Sequence, residues 1–442
     1  MRVLHLAWEY PPVLYGGLGR HVHALARAQA AAGHDVVVVT QAPVGSSPEE
    51  VRGAGPDAGW RLSHEDGLRV LRVAIEPPGA LTDLLARVAD MEHEFAAGCE
   101  AALAGWRPEV VHAHDWMVAH AGVRLRAWSG APLVATIHAT EAGRNAGWVT
   151  SQLSTTIHGV EWWLANTADL VIACSLAMAG EVTTLFGVAE VRVIPNGIDP
   201  RDWQVPQEAR ARVREAHADA DPLLVYTGRV EHEKGVQTIL AALPELREHH
   251  PRVRLLVAGR GSHLPVLQQL AGELGLTDRA VRFLGWVSEQ DLRAIVAAAD
   301  LVIVPSLYEP FGLVALEATA LGAPLVLAQT GGLAEFARGG SHALLFRPGD
   351  PRSLVTAVGA GLADRGSNQA RAARAAAALA MRHDWATIAE ATVGVYREAA
   401  LRARDEPLDG HDGDGAAGTR SQRPPAPPQL TAPLGRLLEA DW

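Results

Sequence analysis

The sequence predicts an α/β protein of two domains, each built on a parallel, doubly wound sheet. Its 442 residues are enough for two ordinary domains and a tail. Short apolar runs typical of buried strands alternate with helical segments, and this pattern occurs once in each half of the chain. A glycine-rich turn also joins the first strand to the first helix, as expected of a βαβ beginning.

The elements follow in order from these patterns. In the first half, a strand is predicted over residues 2–8, a helix from about Arg20 to Ala32, and a loop over 43–66 because that stretch is rich in Gly, Pro and Ser. A helix is predicted at about 80–104, and the other predicted strands are 35–40, 68–75, 110–116, 133–138 and 169–175. In the second half the predicted strands are 223–227, 254–258, 281–284, 301–304 and 325–328.

Composition excludes several classes of protein. The net charge of −11 argues against a nucleic-acid partner, which usually selects a basic surface. Two cysteines, Cys99 and Cys174, do not form a disulfide or zinc framework, so a reducing cytoplasm is expected. The N-terminal run resembles a strand rather than a signal peptide, and no apolar run reaches membrane-spanning length, so no transmembrane segment is expected.

The most informative stretch is residues 301–318, where a buried strand ends in a loop and a helix starts near Leu313. Free N–H groups and the helix dipole at such a start favour an anion. Glu309 on the loop and Glu317 on the helix could accept hydrogen bonds from hydroxyl groups. A ligand with both phosphate and hydroxyls, such as a sugar nucleotide, would explain the combination. The alternative is two glutamates that only improve solubility and the dipole of the first turn.

A second candidate site lies at the beginning of the second half of the chain, where Gly228–Gly235 follows a predicted strand. Arg229 offers a planar fork to phosphate oxygens and Lys234 a compact charge, which together suit a pyrophosphate. The order of residues is not that of a Walker A loop. The alternative is two solvated basic residues in an acidic loop.

These two stretches resemble the E-x7-E and GR-x4-KG elements of glycosyltransferase family 4, the glycogen-synthase-like retaining enzymes of the GT-B fold. The resemblance covers about residues 1–402. It implies two Rossmann-like domains facing across a cleft, with Glu309 near the donor sugar and Glu317 on the ribose. It also implies that Arg229 and Lys234 stabilise the leaving diphosphate and that the amides of Gly312 and Leu313 face phosphate or sugar. The turn at Gly259 resembles a glycine turn beside the base and ribose.

The pattern of strands, turns and composition predicts the domain limits, and the resemblance implies the helix that crosses between the domains. Residues 1–197 form an acceptor-side domain, onto which a helix over about 384–403 crosses back. Residues 198–383 form the nucleotide-sugar domain, and the Gly-, Pro- and Asp-rich residues 404–442 are expected to be disordered.

Three further elements lie in the first domain. Gly16 and Gly17 match the family's glycine turn toward the donor diphosphate, although Leu14 stands where many glycogen synthases have Lys. A dinucleotide-binding turn is the alternative, but G-x-G-x-x-G is not matched and no acidic residue follows the second strand at Thr40.

The string His112–Trp116 resembles the family's HxHDW element, which implies that His114 and Asp115 contact sugar. A zinc site is the alternative, although no third ligand follows at a recognisable spacing. His138 matches a histidine that holds the donor sugar, and Glu141 opens a predicted mobile acceptor loop that ends at Trp148.

The predicted function is transfer of a hexosyl group, glucose from ADP-glucose or UDP-glucose, to an α-glucan or maltooligosaccharide, with neither metal nor cofactor. The predicted catalytic residues are His138, Glu309, Arg229 and Lys234. The alternatives are the same chemistry with a small acceptor such as a sugar phosphate, inositol phosphate or glycerate, a non-catalytic nucleotide-sugar binding protein, and an NAD-dependent oxidoreductase.

Overall fold

The computed structural model describes residues 1–43, 59–75 and 83–405, and it divides into two compact units. Of the described residues, unit 1 comprises those of Met1–Pro195 together with Trp385–Asp405, and unit 2 is Asn196–Asp384. The first segment of unit 1 ends at Pro195, two residues before the predicted limit at residue 197. The predicted tail lies outside the described residues from position 406 onward.

The described elements among the first 195 residues are strands and helices that mostly alternate, with a 3₁₀ turn at Trp116–Val118. They are β1 (Arg2–Leu6), α1 (Gly17–Ala31), β2 (Asp35–Gln41), β3 (Trp60–Glu65), β4 (Leu68–Val73), α2 (Leu84–Ala102), β5 (Val110–His114), α3 (Ala119–Ser129), β6 (Leu133–Ile137), α4 (Glu141–Arg144), α5 (Gln152–Thr167), β7 (Leu170–Ala173), α6 (Leu176–Phe186) and β8 (Val191–Val193).

Strands and helices alternate as far as β14, three helices follow to the end of the described chain, and 3₁₀ turns lie at His232–Lys234 and Arg338–Gly340. The elements are α7 (Gln207–Ala216), β9 (Leu223–Thr227), α8 (Val236–His249), β10 (Arg254–Ala258), α9 (Leu264–Glu273), β11 (Val281–Gly285), α10 (Glu289–Ala298), β12 (Leu301–Val304), α11 (Leu313–Ala320), β13 (Leu325–Ala328), α12 (Gly331–Ala337), β14 (Leu344–Phe346), α13 (Pro351–Ala363), α14 (Arg365–Arg382) and α15 (Trp385–Asp405).

The sheet of unit 1 has the order β3-β4-β2-β1-β5-β6-β7-β8. All neighbours are parallel except β3 and β4, which form an antiparallel hairpin. The predicted loop over 43–66 was therefore wrong for residues 60–65, while 44–58 lie outside the described residues. The hairpin turn is Asp66-Gly67, and both residues have positive φ, 51° and 79°. This dipeptide is a known hairpin signal that the compositional argument overlooked.

Helix α15 packs on unit 1 through apolar residues of one face. Ile388, Val393 and Tyr396 join the same buried cluster as Val22 and Leu25 of α1. Tyr396 is fully buried, and its hydroxyl is hydrogen-bonded inside the unit. The C-terminal helix therefore completes the first unit's core, although almost 190 residues of unit 2 separate the two in sequence.

The sheet of unit 2 has the order β11-β10-β9-β12-β13-β14 and is parallel throughout. Its inner strands β10, β9, β12 and β13 are buried on both faces, because one apolar cluster packs under α8 and α13 and a second under α10 and α11. Full burial explains why these strands are continuous apolar runs rather than alternating ones. The prediction of two doubly wound α/β domains is confirmed. None of the helices in the described part of the chain is long and apolar enough to cross a membrane.

Candidate active site

The predicted phosphate-binding residues lie where the strand order of unit 2 reverses. Strand β9 lies between β10 and β12, so the chain leaves β9 in one direction and returns on its other side at β12. In open α/β sheets the crevice at this point, beyond the carboxyl ends of the strands, is the usual ligand site. The loop after β9 carries Arg229 and Lys234, and the loop after β12 carries Glu309. The topology therefore brings Glu309 to Lys234, which lies 75 positions earlier in the sequence, and to the neighbouring Arg229.

Glycines allow these loops to pack backbone against backbone. Gly235 has φ +72°, and a Cβ there would lie 1.9 Å from the carbonyl oxygen of Pro305. Gly331 has φ +44°, and its Cβ would lie 2.2 Å from the carbonyl oxygen of Glu309. Main-chain hydrogen bonds join the same segments, from Leu307 N–H to the Glu233 carbonyl (2.8 Å) and from Gly332 N–H to the Glu309 carbonyl (3.0 Å). The loop that carries Glu309 is thus held from both sides.

Lys234 and Glu309 form an ion pair within this site. The Lys234 Nζ lies 2.9 Å from Glu309 Oε2, and both side chains are less than one-fifth exposed, at 18% and 15%. The Ser306 hydroxyl donates to the same oxygen at 3.1 Å. An ammonium group has three N–H donors, so Lys234 can keep Glu309 and still donate to a phosphate. Arg229 is more exposed (48%) and lies 3.4 Å from Glu233.

The remaining predicted donor residues lie on neighbouring loops of unit 2. Gly312 precedes α11 with φ +101°, and a Cβ there would meet Leu333 at 2.6 Å. Leu313 begins the helix and Glu317 follows one turn later, half-buried. Gly259 follows β10 with φ +157°, and its Cβ would lie 1.8 Å from the Gly228 carbonyl oxygen. The structure therefore groups these residues at one sheet edge, and their contacts with a ligand remain predictions.

The glycine turn of unit 1 encloses a buried carboxylate that the sequence analysis missed. Glu9 is 1% exposed and accepts hydrogen bonds from the N–H groups of Tyr15 (2.5 Å), Gly16 (3.0 Å) and Gly19 (2.8 Å). Its negative charge lies at the start of α1, where the helix dipole favours it. The N–H of Gly16 is therefore already engaged, and the predicted phosphate contact would fall to Gly17, where it stays a prediction.

Asp115 lies directly after β5 and orders the end of β6. Its carboxylate accepts the N–H of His138 at 2.6 Å. Its φ of +63° is unusual for a residue with a side chain, and such strain persists only where the surroundings impose it. Burial raises the pKa of Asp115 to about 6, against the opposing charge of Arg144 and the hydrogen bond from His138. The hydrogen bond from the His138 N–H thus holds the Asp115 carboxylate in place beside His138.

His138 is joined to His114 through their ring nitrogens, with 3.1 Å between His114 Nδ1 and His138 Nε2. Burial lowers the pKa of His138 to about 3 and that of His114 well below its usual value. Both rings are therefore neutral at physiological pH, and His138 can offer a sugar hydroxyl a polar contact without bringing a positive charge.

Histidines of unit 1 also form two groups whose nitrogens could in principle hold a metal ion. One is His5, His112 and His114, and the other is His21, His114 and His138. The sequence analysis did not find His5, which the pairing of β1 with β5 places opposite His112. The nitrogens of His5 and His114 already face each other in a hydrogen bond of 3.1 Å, which accounts for their closeness without an ion.

The predicted acceptor loop is tied to the core at its beginning. Glu141 starts α4, and its N–H donates to both carboxylate oxygens of Glu161, at 2.9 and 3.0 Å. Thr140 donates its hydroxyl hydrogen to Glu181. Burial raises the pKa of Glu161 to about 8, opposed mainly by Arg144. The first turn of the loop is thus anchored by buried acids, while Trp148 at its end is 47% exposed.

The Asp-Ala-Asp string at 219–221, which superficially matches the metal-binding motif of other glycosyltransferases, is structural. Asp219 pairs with Arg254 at 2.6 Å, and Asp221 pairs with Arg252 at 3.2 Å and Arg365 at 2.9 Å.

Comparison with known proteins identifies relatives over nearly the whole chain. A family model described as "Glycosyltransferase Family 4" matches residues 15–202, and one described as "Glycosyl transferases group 1" matches residues 207–378. A glycogen synthase of Mycobacterium tuberculosis is 44% identical over 416 residues, covering 92% of this chain and 97% of the relative. A D-inositol 3-phosphate glycosyltransferase of Xylanimonas cellulosilytica is 32% identical, covering 88% and 93%.

The fold is shared with solved structures as well. The sucrose-phosphate synthase of Thermosynechococcus elongatus superposes with a TM-score of 0.76 at 24% identity, covering 90% of this chain and 98% of the other.

Proposed function

This chain belongs to glycosyltransferase family 4 and is a hexosyltransferase that uses a nucleotide sugar, and we propose that it moves glucose from ADP-glucose or UDP-glucose to an α-glucan or maltooligosaccharide with retention of configuration. The family predicted from the sequence is confirmed. The GT-B fold is confirmed too. The donor base, the acceptor and the roles of individual residues belong to the proposal.

The observation that supports a transferase site most directly is the grouping of Lys234, Arg229 and Glu309 at the β9/β12 edge. Transfer from a nucleotide sugar leaves a diphosphate, whose negative charge grows as the glycosidic bond breaks. A cation held in place before the reaction stabilises that charge at little reorganisation cost. Lys234 meets this requirement because Glu309 fixes its ammonium group at 2.9 Å. Arg229, which is more exposed, supplies a second, bidentate donor.

We propose a front-face mechanism in which the leaving diphosphate helps to remove the proton of the acceptor hydroxyl. No side chain is assigned as a covalent nucleophile. Glu309 and His138 would hold the donor sugar, Glu317 the ribose, and the amides near Gly312 the phosphate. Asp115, His114 and Glu141 would contact sugar hydroxyls. Transfer is expected to need no metal, since Lys234 and Arg229 provide the positive charge beside the leaving group.

The α-glucan acceptor is favoured by the glycogen synthase relative, which is the more similar of the two relatives described above. A second candidate is a small phosphorylated acceptor, because relatives 30–33% identical to this chain act on D-inositol 3-phosphate by name. We place the reaction in the reducing cytoplasm, because both cysteines are buried and free of disulfides.

The deciding experiment measures nucleotide release from ADP-glucose and from UDP-glucose in the presence of EDTA. Each donor is paired with glycogen, maltose, glucose 1-phosphate, an inositol phosphate or no acceptor. Release that depends on glycogen or maltose supports the α-glucan acceptor and identifies the base. Release only with a phosphorylated acceptor supports the second candidate. Tight nucleotide binding with no release in any pairing would contradict both and favour a binding protein.

A further inference from the structure

A line of hydrogen bonds runs through the interior of unit 1 and ends at His138. Gln29 Oε1 lies 2.7 Å from His5 Nε2, and His5 Nδ1 lies 3.1 Å from His114 Nε2. His114 Nδ1 then lies 3.1 Å from His138 Nε2. Gln29, His5 and His114 are each fully buried, so water does not substitute for any of these contacts.

The order of the atoms gives the line a direction. An amide oxygen can only accept, so the proton of His5 must be on Nε2. A neutral imidazole donates from one nitrogen and accepts at the other, so His5 Nδ1 accepts and His114 Nε2 donates. By the same rule, His114 Nδ1 accepts from His138 Nε2. The proton of His138 is thereby placed on Nε2, and its Nδ1 carries a lone pair.

A second branch is compatible with this orientation of the Gln29 amide. Gln29 Nε2 donates to the Tyr396 hydroxyl at 3.2 Å, and that hydroxyl lies 2.7 Å from His112 Nδ1. His112 Nε2 lies 2.7 Å from the Thr136 hydroxyl. Tyr396 can therefore accept from Gln29 and donate to His112, and His112 can donate to Thr136. Each hydrogen bond in both branches then has one donor and one acceptor.

The line requires His5 and His114 to be neutral, because a second proton on either ring would make two N–H groups point at each other. A second proton on His138 would remove the lone pair from its Nδ1. Burial lowers the pKa of His5 to about 4 and that of His138 to about 3, so the neutral state prevails at physiological pH. Burial, and after it the Coulomb repulsion of the neighbouring histidines, lowers the pKa of His114 well below its usual value.

We propose that Gln29 and His5 are positioning residues that act through His114 to fix the tautomer of His138, so that its Nδ1 accepts a hydrogen bond from a hydroxyl of the donor sugar. The identity of that hydrogen-bond donor rests on the proposed function, whereas the tautomer does not. The rotated amide, with its nitrogen toward His5, would reverse every hydrogen bond and present an N–H at His138 Nδ1. The orientation of Gln29 therefore decides whether the site accepts from or donates to a hydroxyl.

The test is nitrogen NMR of the full chain labelled with ¹⁵N-histidine, without ligand at neutral pH. The spectrum of His138→Gln assigns the signals of His138. We expect Nε2 of His138 to carry the proton and Nδ1 to be unprotonated. The opposite tautomer, or a mixture of the two, would overturn the proposal on the wild-type protein alone, before any variant has to fold.

Two variants then separate the branches. Gln29→Met keeps the length of the side chain but removes the acceptor for His5, so the His138 signals should shift toward a mixture of tautomers. Thr136→Val breaks only the second branch beyond His112 and should leave the His138 tautomer unchanged. Unchanged His138 signals in a folded Gln29→Met variant would refute the positioning role.

Steady-state kinetics test whether the His138 tautomer affects the reaction of the donor sugar. Loss of one oriented hydrogen bond should lower kcat/KM for the donor by about tenfold in Gln29→Met, while the Kd of ADP or UDP stays unchanged. A wild-type protein with the expected tautomer but no activity with any donor would refute the proposed function and leave the tautomer assignment standing. Activity with an unaltered donor kcat/KM in Gln29→Met would overturn the role of the Nδ1 lone pair.

Discussion

Removal of the Lys234 ammonium group tests the central claim about the site. In Lys234→Ala the leaving diphosphate loses a cation, and Glu309 loses its partner at 2.9 Å. These losses have separate consequences. The first affects the transition state, where charge develops, and the second affects the folded protein before any substrate binds. An informative experiment must measure both.

The structure sets the expected size of each effect. Removal of one preorganised donor from a site of developing negative charge typically lowers kcat by about 10²–10³, equivalent to about 2.7–4 kcal/mol. The cost in stability should be smaller, about 1–2 kcal/mol, because the pair is partly exposed (18% and 15%) and solvent screens it. Glu309 also keeps the hydroxyl of Ser306 as a donor at 3.1 Å.

The assay compares Lys234→Ala, Glu309→Gln and the double variant by steady-state nucleotide release and by urea unfolding. The double variant should recover much of the stability lost in Lys234→Ala, because no unpaired carboxylate remains, but none of its turnover. A kcat of Lys234→Ala within about threefold of the wild type would refute the role of Lys234. Recovery of turnover together with stability in the double variant would show that Lys234 acts only by supporting the loop.

Two further predictions follow. Gly235→Ala should destabilise unit 2 by about 2 kcal/mol or more and weaken nucleotide binding, because its Cβ would lie 1.9 Å from the Pro305 carbonyl oxygen. Gly187→Ala is the matched control for thermal unfolding, since Gly187 has the same φ of +72° but no atom within 4 Å of the added Cβ. The second prediction concerns the dependence of stability on pH. Burial lowers the pKa of His5 from 6.5 to about 4, so between these pH values the unfolded chain binds a proton that the folded chain does not. The free energy of unfolding therefore falls as the pH drops below 6.5. By pH 5 the wild type should lose about 2 kcal/mol more than His5→Gln, measured by urea unfolding at each pH.

For each of these two predictions, a specific result would contradict the reasoning. Equal destabilisation by Gly235→Ala and Gly187→Ala would mean that the cost comes from backbone conformation alone and that the contact between the loops is unimportant. Parallel pH profiles for the wild type and His5→Gln would mean that His5 is not held neutral by burial.

Local sequence was sufficient for most strands of the sheets, although not for β3, β8 and β14, and for selecting the strand-end residues of unit 2. The apolar runs at Leu223–Thr227 and Leu301–Val304 are strands because full burial on both faces demands such runs. Arg229, Lys234 and Glu309 could be selected because each lies just after a strand, and parallel strands end at a common edge. The hairpin at Asp66-Gly67 could equally have been predicted from its turn dipeptide, but the prediction from composition alone missed it.

The hydrogen-bond partners in the polar interior of unit 1 could not be predicted in this way. Glu9 looks like any loop glutamate, and only the folded turn directs three N–H groups at its carboxylate. His5 and Gln29 carry no motif, and they become partners only because β1 pairs with β5 and α1 packs beside them.

By itself the sequence determined the type and order of most elements, the family, and the residues at the strand ends of unit 2, because burial, turn geometry and loop chemistry depend on neighbours in the chain. The tertiary structure decided which side chains from distant segments share a hydrogen bond, as in the pairs Lys234–Glu309 and His114–His138. The physical reason is that strand order and register set these contacts, and both depend on how the whole sheet packs.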